Sequence, residues 1–294
     1  MKQTPFIPPQ VAREIRAAHL TPSSFEATPE IDRSVRSDML SIWDAKNAVI
    51  IPGEYLSDRS SGPAARVASH AYACREILGS VEFPDVVLNY GLDFCNAYFD
   101  GSYLIFGSGD GFIFNDFSQS VDIFAHELGH SIVSSGPSLG YTGTAGALNE
   151  HLCDVIAISV KQYAKGMIDD FKIGSEVFFD RSLYLRDMLN PGKALHSPVT
   201  GRDPQVGHMN QYRVIRDETD GAHINSGIPN RAFALTCTYS GKPSWSDPLK
   251  IWRQAMGDIS AESGFRDFAC ATVRHSGDLG PHVRRAWNDV GILI

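Results

Sequence analysis

The sequence predicts an α+β protein of two lobes, with a β-rich lobe in front and an α-helical lobe behind. Short runs of β-branched and aromatic residues between Gly and Asp-Gly turns indicate strands at residues 86–90, 103–106 and 112–114. Helical spacing of apolar residues recurs in the second half, at residues 228–239, 248–260, 265–275 and 281–290. A helical pattern at residues 121–135 lies between the two groups, and clefts favour such junctions.

The front lobe begins near residue 42, where the apolar pattern changes. Residues 48–51 are predicted to form a strand that ends at Pro52, and residues 64–78 to form a helix. The glycine-rich residues 107–111 lie between two predicted strands, without a following helix start or a Lys-Ser/Thr pair. They therefore indicate a hairpin turn and not a phosphate-binding loop.

Two further segments separate the junction helices from the helices of the rear lobe. Residues 183–188 are short and are predicted to be helical. Residues 190–222 form a long connection rich in Gly, Pro, Asp and His. A connection of that length inside a compact domain is usually functional.

Composition limits the classes of partner. The chain has 294 residues, of which 43% are hydrophobic and 20% charged, enough for a sizeable core and two lobes. A net charge of −8 without a basic stripe argues against nucleic acid as a partner. The sequence has no run of 18 apolar residues, which argues against a membrane span. Five cysteines without a Cys-x-x-Cys pair indicate neither a disulfide framework nor a zinc finger.

Residues 1–40 differ from the rest of the chain, because five prolines punctuate them around one short amphipathic helical pattern at residues 11–16. Such a segment has little core of its own, so we expect an arm packed on the main body or a removable leader. Residues 33–38 offer a polar junction for cleavage. The first nine residues lack the long apolar region of a secretory signal, so we expect synthesis in the cytoplasm, with release by a non-standard route left open.

The pattern at residues 121–135 carries a metal-binding motif. His126 and His130 are four residues apart, so they project from one helix face and can bind one metal ion through neutral imidazole nitrogens. Glu127 can then lie beside the open position of the metal and act as general base. A chance match on an ordinary core helix is the alternative.

The next helical pattern, at residues 146–164, argues against a chance match. It is apolar on almost every side and is therefore predicted to be buried, with Cys153 as a small core residue. Glu150 and Asp154 lie one turn apart within it, and a buried carboxylate needs a partner or a metal ion. Glu150 is the candidate third zinc ligand, and Asp154 is the candidate acceptor for a ligand imidazole.

With both helices in place, the sequence resembles the thermolysin family of zinc endopeptidases. Glu150 follows His130 by 20 positions, which is the separation in that family. Three more segments resemble its substrate-binding strand, its arginine segment and its C-terminal motif, namely residues 95–99, 185–188 and 223–230. The Gly-Ala-Met-Glu-Asn motif of the related aminopeptidases is absent, and Val133 and Gly136 exclude the extended metzincin pattern.

Within the family, the chain is most similar to the short protealysin-like branch, whose members begin with an Ile-Pro-Pro leader, here residues 7–9. This resemblance implies a two-lobe fold with the zinc helix between the lobes. It implies an inhibitory propeptide at residues 1–40, a front lobe that includes the zinc helix at residues 41–140, and a rear lobe at residues 141–294.

The resemblance also implies a catalytic site around one zinc ion. The implied metal ligands are His126, His130 and Glu150. The implied catalytic residues are the base Glu127 and two donors to the developing oxyanion, His223 and Tyr141. Asp154 and Asn149 would orient the two ligand imidazoles.

Substrate-binding residues follow from the same resemblance. Asn96 and the carbonyl of Ala97 would bind the peptide backbone like an added strand, and Arg186 would bind the carbonyl beyond the scissile bond. The residues implied for an apolar pocket on the leaving side are Phe114, Phe117, Ile123 and Leu185. We therefore expect cleavage on the N-terminal side of hydrophobic residues such as Leu, Phe or Ile.

The chain departs from thermolysin at a paired calcium site. Asp122 keeps one ligand position and Asp169 and Asp170 remain, but Lys161 and Lys172 replace two other ligands. Because an ammonium can neutralise carboxylates as a fixed charge, we expect no double calcium site. A single calcium ion elsewhere stays open, and so does a purely solvent-exposed role for both lysines.

One role is left open, that of the acid that orients the oxyanion histidine in this family. Asp217, Glu218 and Asp220 all precede His223. An ungapped match indicates Glu218, and Asp220 stays an alternative.

The sequence argues against two other classes of function. Glu127 argues against a catalytically silent binding protein, because a purely structural zinc needs no base. An open fourth ligand position argues against a structural zinc site. The expected partners are peptide or protein substrates and the chain's own propeptide, and a proteinaceous inhibitor is a further candidate.

Overall fold

A computed structural model describes residues 5–18, 30–31, 40–168, 170–215 and 218–294. Its helices are α1 Pro9–Ala18, α2 Gly62–Leu78, α3 Val121–Ser135, α4 Gly143–Lys165, α5 Glu218–Asn225, α6 Gly227–Ser240, α7 Asp247–Met256, α8 Phe265–His275 and α9 Gly280–Asp289. Its strands are β1 Glu30–Ile31, β2 Ile42–Asp44, β3 Ile50–Ile51, β4 Glu54–Tyr55, β5 Asp85–Leu88, β6 Ala97–Phe99, β7 Tyr103–Phe106, β8 Lys172–Ile173, β9 Arg186–Asp187, β10 His196–Ser197 and β11 Gly201–Arg202. The predicted α+β class with two lobes is confirmed.

The front lobe is built on a mixed five-stranded sheet in the order β4-β2-β5-β7-β6. Strands β2, β5 and β7 are parallel, whereas β4 and β6 pair antiparallel at the two edges. Alternate residues face opposite sides, as the strand period requires. Leu104 and Phe106 join the main core, and Tyr103 and Ile105 join a second apolar cluster on the other face. Strand β6 therefore presents an outer edge toward the junction of the lobes.

Helices α3 and α4 form the centre of the molecule. Nearly the whole of α4 is buried up to Gln162, as its apolar sequence predicts. The two helices approach closely at Gly129, where an added Cβ would lie 2.9 Å from the Cα of Cys153. Glycine at this position lets the backbones meet, so the polar side chains on either side of the contact face each other.

The rear lobe packs helices α5–α9 around aromatic side chains. Trp252 stacks on Trp287 with ring centroids 6.1 Å apart, and the edges of Phe233 and Phe268 close around them. No helix in the described ranges combines the length and the apolar character that crossing a membrane requires.

Two sequence predictions of local structure are wrong. Residues 183–188 are not helical, because Arg186 and Ile173 pair in a short antiparallel ladder, and so few residues cannot hold an isolated helix. Residues 112–114 form only an isolated bridge between Phe114 and Phe178. The carboxylate of Asp110 accepts hydrogen bonds from the amides of all three residues, which removes those amides from strand pairing.

Smaller differences concern element ends. The strand predicted at residues 48–51 covers only Ile50–Ile51. The amphipathic pattern near the N-terminus corresponds to α1, which is longer than residues 11–16. The proposed cleavage junction at residues 33–38 lies outside the described residues.

Candidate metal centre and peptide cleft

Three side chains from α3 and α4 meet at the centre of the molecule. His126 Nε2 lies 3.4 Å from Glu150 Oε2, and His130 Nε2 lies 3.7 Å from Glu150 Oε1. All three are fully or almost fully buried. Within the part of the chain that the structure describes, both Nε2 atoms and Glu150 Oε1 make no hydrogen bond. Converging buried nitrogen and carboxylate donors of this kind fit a zinc ion.

The carboxylates in and beside this ligand cluster (His126, His130 and Glu150) favour positive charge at its centre. Burial opposes charge on His126, but the neighbouring carboxylates of Asp154 and Glu150 outweigh it and raise the pKa of His126 to about 9. Burial lowers the pKa of His130 to about 4, which keeps that imidazole neutral. Burial also opposes ionisation of Glu150, yet electrostatic interaction with the neighbouring histidines, His223 first, holds its pKa below the ordinary value.

Two acceptors fix the orientation of the imidazoles. His126 Nδ1 lies 2.8 Å from Asp154 Oδ1, and His130 Nδ1 lies 3.1 Å from Asn149 Oδ1. Both partners are oxygen acceptors, so each Nδ1 carries the proton. In the neutral form of each imidazole, the Nε2 lone pair is then directed toward the ligand cluster.

Cys153 also contacts this region, which the sequence did not indicate. His126, His130 and Cys153 are close enough to form an alternative metal-binding group. However, the thiol lies 3.2 Å from Nδ1 of His130, away from the Nε2 atom that faces Glu150. Burial raises the pKa of the Cys153 thiol well above its ordinary value, which disfavours a thiolate ligand. Glu150 therefore fits the third ligand position better.

The three candidate catalytic side chains lie around the ligand cluster. Glu127 is fully buried, and burial together with the charge of Glu150 raises its pKa to about 8 against the opposing charge of His126. His223 Nε2 lies 3.3 Å from Glu150 Oε2. The ring of Tyr141 lies 6.4 Å from that of His130, measured between centroids.

The segment before α1 lies along the edge of β6, beside the ligand cluster. The amide of Phe6 donates to the carbonyl of Ala97 at 2.9 Å, and the amide of Ile7 donates to Asn96 Oδ1 at 2.8 Å. Arg186 Nη1 donates to the carbonyl of Phe6 at 3.1 Å. The three residues predicted to bind a substrate backbone therefore all contact the chain's own N-terminal segment.

The side chain of Phe6 is fully buried at the same place. Its ring meets the ring of His126 edge-on, with centroids 4.9 Å apart, and the guanidinium of Arg186 lies 4.3 Å from its centroid. It belongs to the core cluster that includes the four predicted pocket residues, Phe114, Phe117, Ile123 and Leu185. Phe178, which the sequence analysis did not identify as a pocket residue, packs against Phe114 with ring centroids 5.0 Å apart.

Arg186 joins the metal side of the site to the peptide side. Besides the carbonyl of Phe6, its Nη2 and Nε donate to Asp154 Oδ1 at 2.9 Å and 3.2 Å. Burial opposes ionisation of Asp154, but the charge of Arg186 outweighs it and lowers the pKa of Asp154 to about 2. Asp154 Oδ2 accepts from Asn230 Nδ2 at 2.8 Å, a contact that the sequence did not predict.

Asp220, one candidate for the acid that orients His223, contacts α1. Its Oδ1 accepts from the amide of Gln10 at 2.9 Å, and its Oδ2 pairs with Arg13. Asp217 and the side chain of Glu218 lie outside the described residues.

A second charged cluster lies between α3 and the C-terminal half of α4. Lys161 Nζ lies 3.5 Å from Asp122 Oδ2 and 3.2 Å from Asp170 Oδ2. The ammonium is buried, so a solvent-exposed role for Lys161 is wrong, whereas Lys172 is exposed and lies over the ring of Tyr184. Asp169 lies outside the described residues.

Models of one protein family match most of the chain. The "Thermolysin metallopeptidase, catalytic domain" matches residues 79–134, and the "Thermolysin metallopeptidase, alpha-helical domain" matches residues 137–292. The chain belongs to the thermolysin metallopeptidase family. Members of this family depend on zinc, and the ligand cluster supplies donors suited to that metal.

Individual relatives support the protealysin-like branch of the thermolysin family. The precursor of protealysin, a metalloproteinase from Serratia proteamaculans, superposes with a TM-score of 0.85 at 28% identity, covering 99% of this chain and 100% of that one. Protease PrtS of Photorhabdus is 34% identical over 90% of this chain and 79% of its own length. An "Extracellular metalloprotease" of Pectobacterium carotovorum is 39% identical over 70% of this chain and 63% of its own. The chain thus spans less than two thirds of that last relative.

Proposed function

We propose that the chain is a zinc-dependent endopeptidase that hydrolyses peptide bonds on the N-terminal side of hydrophobic residues. One observation carries the proposal. A peptide segment, Phe6 with its neighbours, is hydrogen-bonded to Asn96, Ala97 and Arg186 beside three buried metal-type donors. Membership of the thermolysin family supports the same activity.

In this proposal His126, His130 and Glu150 hold the zinc ion. When bound there, the ion would supply Lewis acidity for a carbonyl group and for a water molecule. Glu127 accepts the proton of that water and later delivers it to the leaving nitrogen, a role suited to a buried carboxylate with a raised pKa. His223 and Tyr141 donate to the oxygen on which negative charge develops.

The position of Phe6 supports the proposed specificity. A substrate would add to the edge of β6 as Phe6 does, with Arg186 on the carbonyl of the residue that follows the scissile bond. By that correspondence Phe6 is the residue after the scissile position, and the complete burial of its aromatic side chain supports a preference for hydrophobic residues there. A cleavage profile with acidic or basic residues at this position would contradict the assignment.

The same contacts support an inhibitory role for the leader, residues 1–40. Phe6 takes the hydrogen-bonding groups that a substrate needs, and α1 is anchored further along at Asp220 through Gln10 and Arg13. While these contacts persist, a substrate cannot reach Ala97 or Arg186. Removal of the leader would therefore expose the cleft.

The proposal also includes expectations about calcium binding and about where the protein acts. The buried ammonium of Lys161 beside Asp122 supports the absence of a double calcium site. The name of the Pectobacterium relative supports an action outside the cell, with the route of release left as a prediction.

The activity can be tested with casein or a labelled peptide, using the wild type and Glu127→Ala with and without a chelator. We expect Glu127→Ala to lower the rate by about 10²–10⁴-fold, since it removes the general base. Its zinc content should match the wild type, which separates loss of the base from loss of the metal. No hydrolysis by either protein after removal of the leader would favour the catalytically silent binding protein.

The inhibitory role can be tested on the uncleaved precursor by comparing Phe6→Ala with Ile15→Ala. Both side chains are fully buried, but only Phe6 contacts the cleft, whereas Ile15 lies in α1. We expect only Phe6→Ala to raise peptide hydrolysis by the precursor. Equal activation by both variants would mean that general loosening of the leader, and not the occupied cleft, controls activity.

A further inference from the structure

A buried chain of hydrogen bonds runs from the tryptophans of the rear lobe to His126. Trp252 Nε1 lies 2.8 Å from His151 Nε2, and His151 Nδ1 lies 2.8 Å from Asn230 Oδ1. Asn230 Nδ2 lies 2.8 Å from Asp154 Oδ2, and Asp154 Oδ1 lies 2.8 Å from His126 Nδ1. All five side chains are fully or almost fully buried, so water cannot substitute for any member.

The hydrogen bonds of this series can have only one donor-to-acceptor direction, and the indole of Trp252 determines it. Trp252 can only donate, so His151 Nε2 must accept, and the proton of a neutral imidazole then lies on Nδ1. His151 Nδ1 therefore donates to Asn230 Oδ1, which turns the Asn230 amide nitrogen toward Asp154. The carboxylate accepts from Asn230 on one oxygen and from His126 Nδ1 on the other, which leaves the lone pair of His126 Nε2 for the ligand cluster.

We propose that His151 and Trp252 are positioning residues that fix the ring orientation of His126, because they hold the Asn230 amide and through it the carboxylate of Asp154. The inference rests on the proposed role of His126 as a zinc ligand. Reversing one link would bring two donors or two acceptors together in a site without water, where an unmatched pair is most costly. Groups behind a metal ligand orient it and raise its affinity for the metal in the same way.

The alternative is that Trp252 and His151 only fill the core, and the molecule contains a matched control. Trp287 stacks on Trp252 in the same aromatic cluster and is also fully buried. Its Nε1 donates to Thr272 Oγ1 at 2.8 Å, outside the chain that leads to His126. Replacing either tryptophan by Phe removes one indole and one buried hydrogen bond, but only Trp252→Phe interrupts the series of hydrogen bonds that ends at His126.

The first test measures zinc binding by the full-length chain in competition with a chelator, for the wild type, Trp252→Phe and Trp287→Phe. We expect Trp252→Phe to weaken zinc binding about tenfold, near the lower end of the usual effect of groups behind a ligand. Trp287→Phe should change it by less than about twofold, because its indole is outside the chain. Equal affinities in the two variants would overturn the proposal.

A second pair of variants keeps the proposal testable if Trp252→Phe does not fold. His151→Gln retains an acceptor for the indole and a donor for Asn230, whereas His151→Leu retains neither. We expect His151→Gln to bind zinc nearly as the wild type does and His151→Leu to bind it about tenfold more weakly. Equal loss of zinc affinity in the two His151 variants would overturn the positioning role of the hydrogen-bond chain. A wild-type protein that binds no zinc would instead overturn the proposed function.

Discussion

Two buried charged clusters lie between α3 and α4, and they differ in the source of their positive charge. In the lysine cluster, Lys161 supplies an ammonium between Asp122 and Asp170. In the ligand cluster, His126, His130 and Glu150 face one another, and within the described residues several of their atoms make no hydrogen bond. The first cluster is completed by folding itself. The second is built for a cation that comes from outside.

The hydrogen bonds around the two clusters also differ. Asp122 also accepts hydrogen bonds from Ser120 and from the amide of Gly174, so the lysine cluster satisfies its carboxylate entirely with protein groups. Behind the ligand cluster, Asp154 and Asn149 hold the imidazoles in place but leave their metal-facing nitrogens exposed to the centre. One pair of helices thus carries a fixed charge from Lys161 and, under the proposed function, the site of an exchangeable metal ion.

We expect the largest loss of stability from a substitution in the lysine cluster. Lys161→Met should lower the free energy of unfolding by about 3–5 kcal/mol, because it leaves the buried carboxylate of Asp122 without its cation. Denaturant unfolding of the zinc-loaded protein measures this.

The matched control is Lys165→Met, one turn further along α4. Lys165 pairs with Glu176 at 2.5 Å, but both side chains are 31% exposed. Its loss should cost about 0–1 kcal/mol, since solvent screens such pairs. Similar losses in the two variants would show that burial of the lysine cluster does not matter.

Removal of zinc should have the next largest effect, and should act on the ligand cluster alone. Zinc at about 100 times its dissociation constant should stabilise the folded chain by about 2.7 kcal/mol through mass action. Calcium should not bind beside Asp122, where the ammonium of Lys161 is placed. Thermal unfolding after addition of each metal to chelator-treated protein checks both statements, and two calcium ions per chain beside Asp122 would refute the second.

A smaller effect is expected from Gly129→Ala, at the point where the two helices meet. The added methyl group would overlap Cys153 and should destabilise the protein by about 1–3 kcal/mol, as overpacking usually does. Zinc affinity should fall as well, since α3 and α4 must separate to make room. Gly136→Ala is the control, because its Cβ would meet nothing nearer than 3.4 Å. Unchanged stability in Gly129→Ala would mean that the close helix contact does not set the geometry of the site.

The parts of the site that the sequence predicted depend on local spacing. His126 and His130 share a face because they are four residues apart, and Glu150 lies in a helix too apolar to be exposed. The burial of Lys161 could not be derived in this way, because the sequence allowed both an ion pair and a solvent-exposed lysine. Whether Lys161 is buried depends on how residues 170–174 fold back on α4.

The contacts that escaped prediction join residues far apart in the chain. Trp252 is 101 positions from His151, and only the packing of the rear lobe brings the indole to the imidazole. Phe6 is 180 positions from Arg186, and the leader motif gave no sign of which residue would enter the cleft. Arg186 itself was predicted to be helical, and the ladder with Ile173 depends on a strand too short to have a pattern.

Arg186 contacts both the carbonyl of Phe6 and the carboxylate that holds His126. The guanidinium therefore connects a peptide in the cleft with a metal ion at His126 through the carboxylate of Asp154. Linkage requires that whatever affinity one ligand adds to the other is returned in equal measure. Under the proposed function, an occupied cleft should tighten zinc binding, and a precursor with its leader in place should have a higher affinity for zinc than the processed chain.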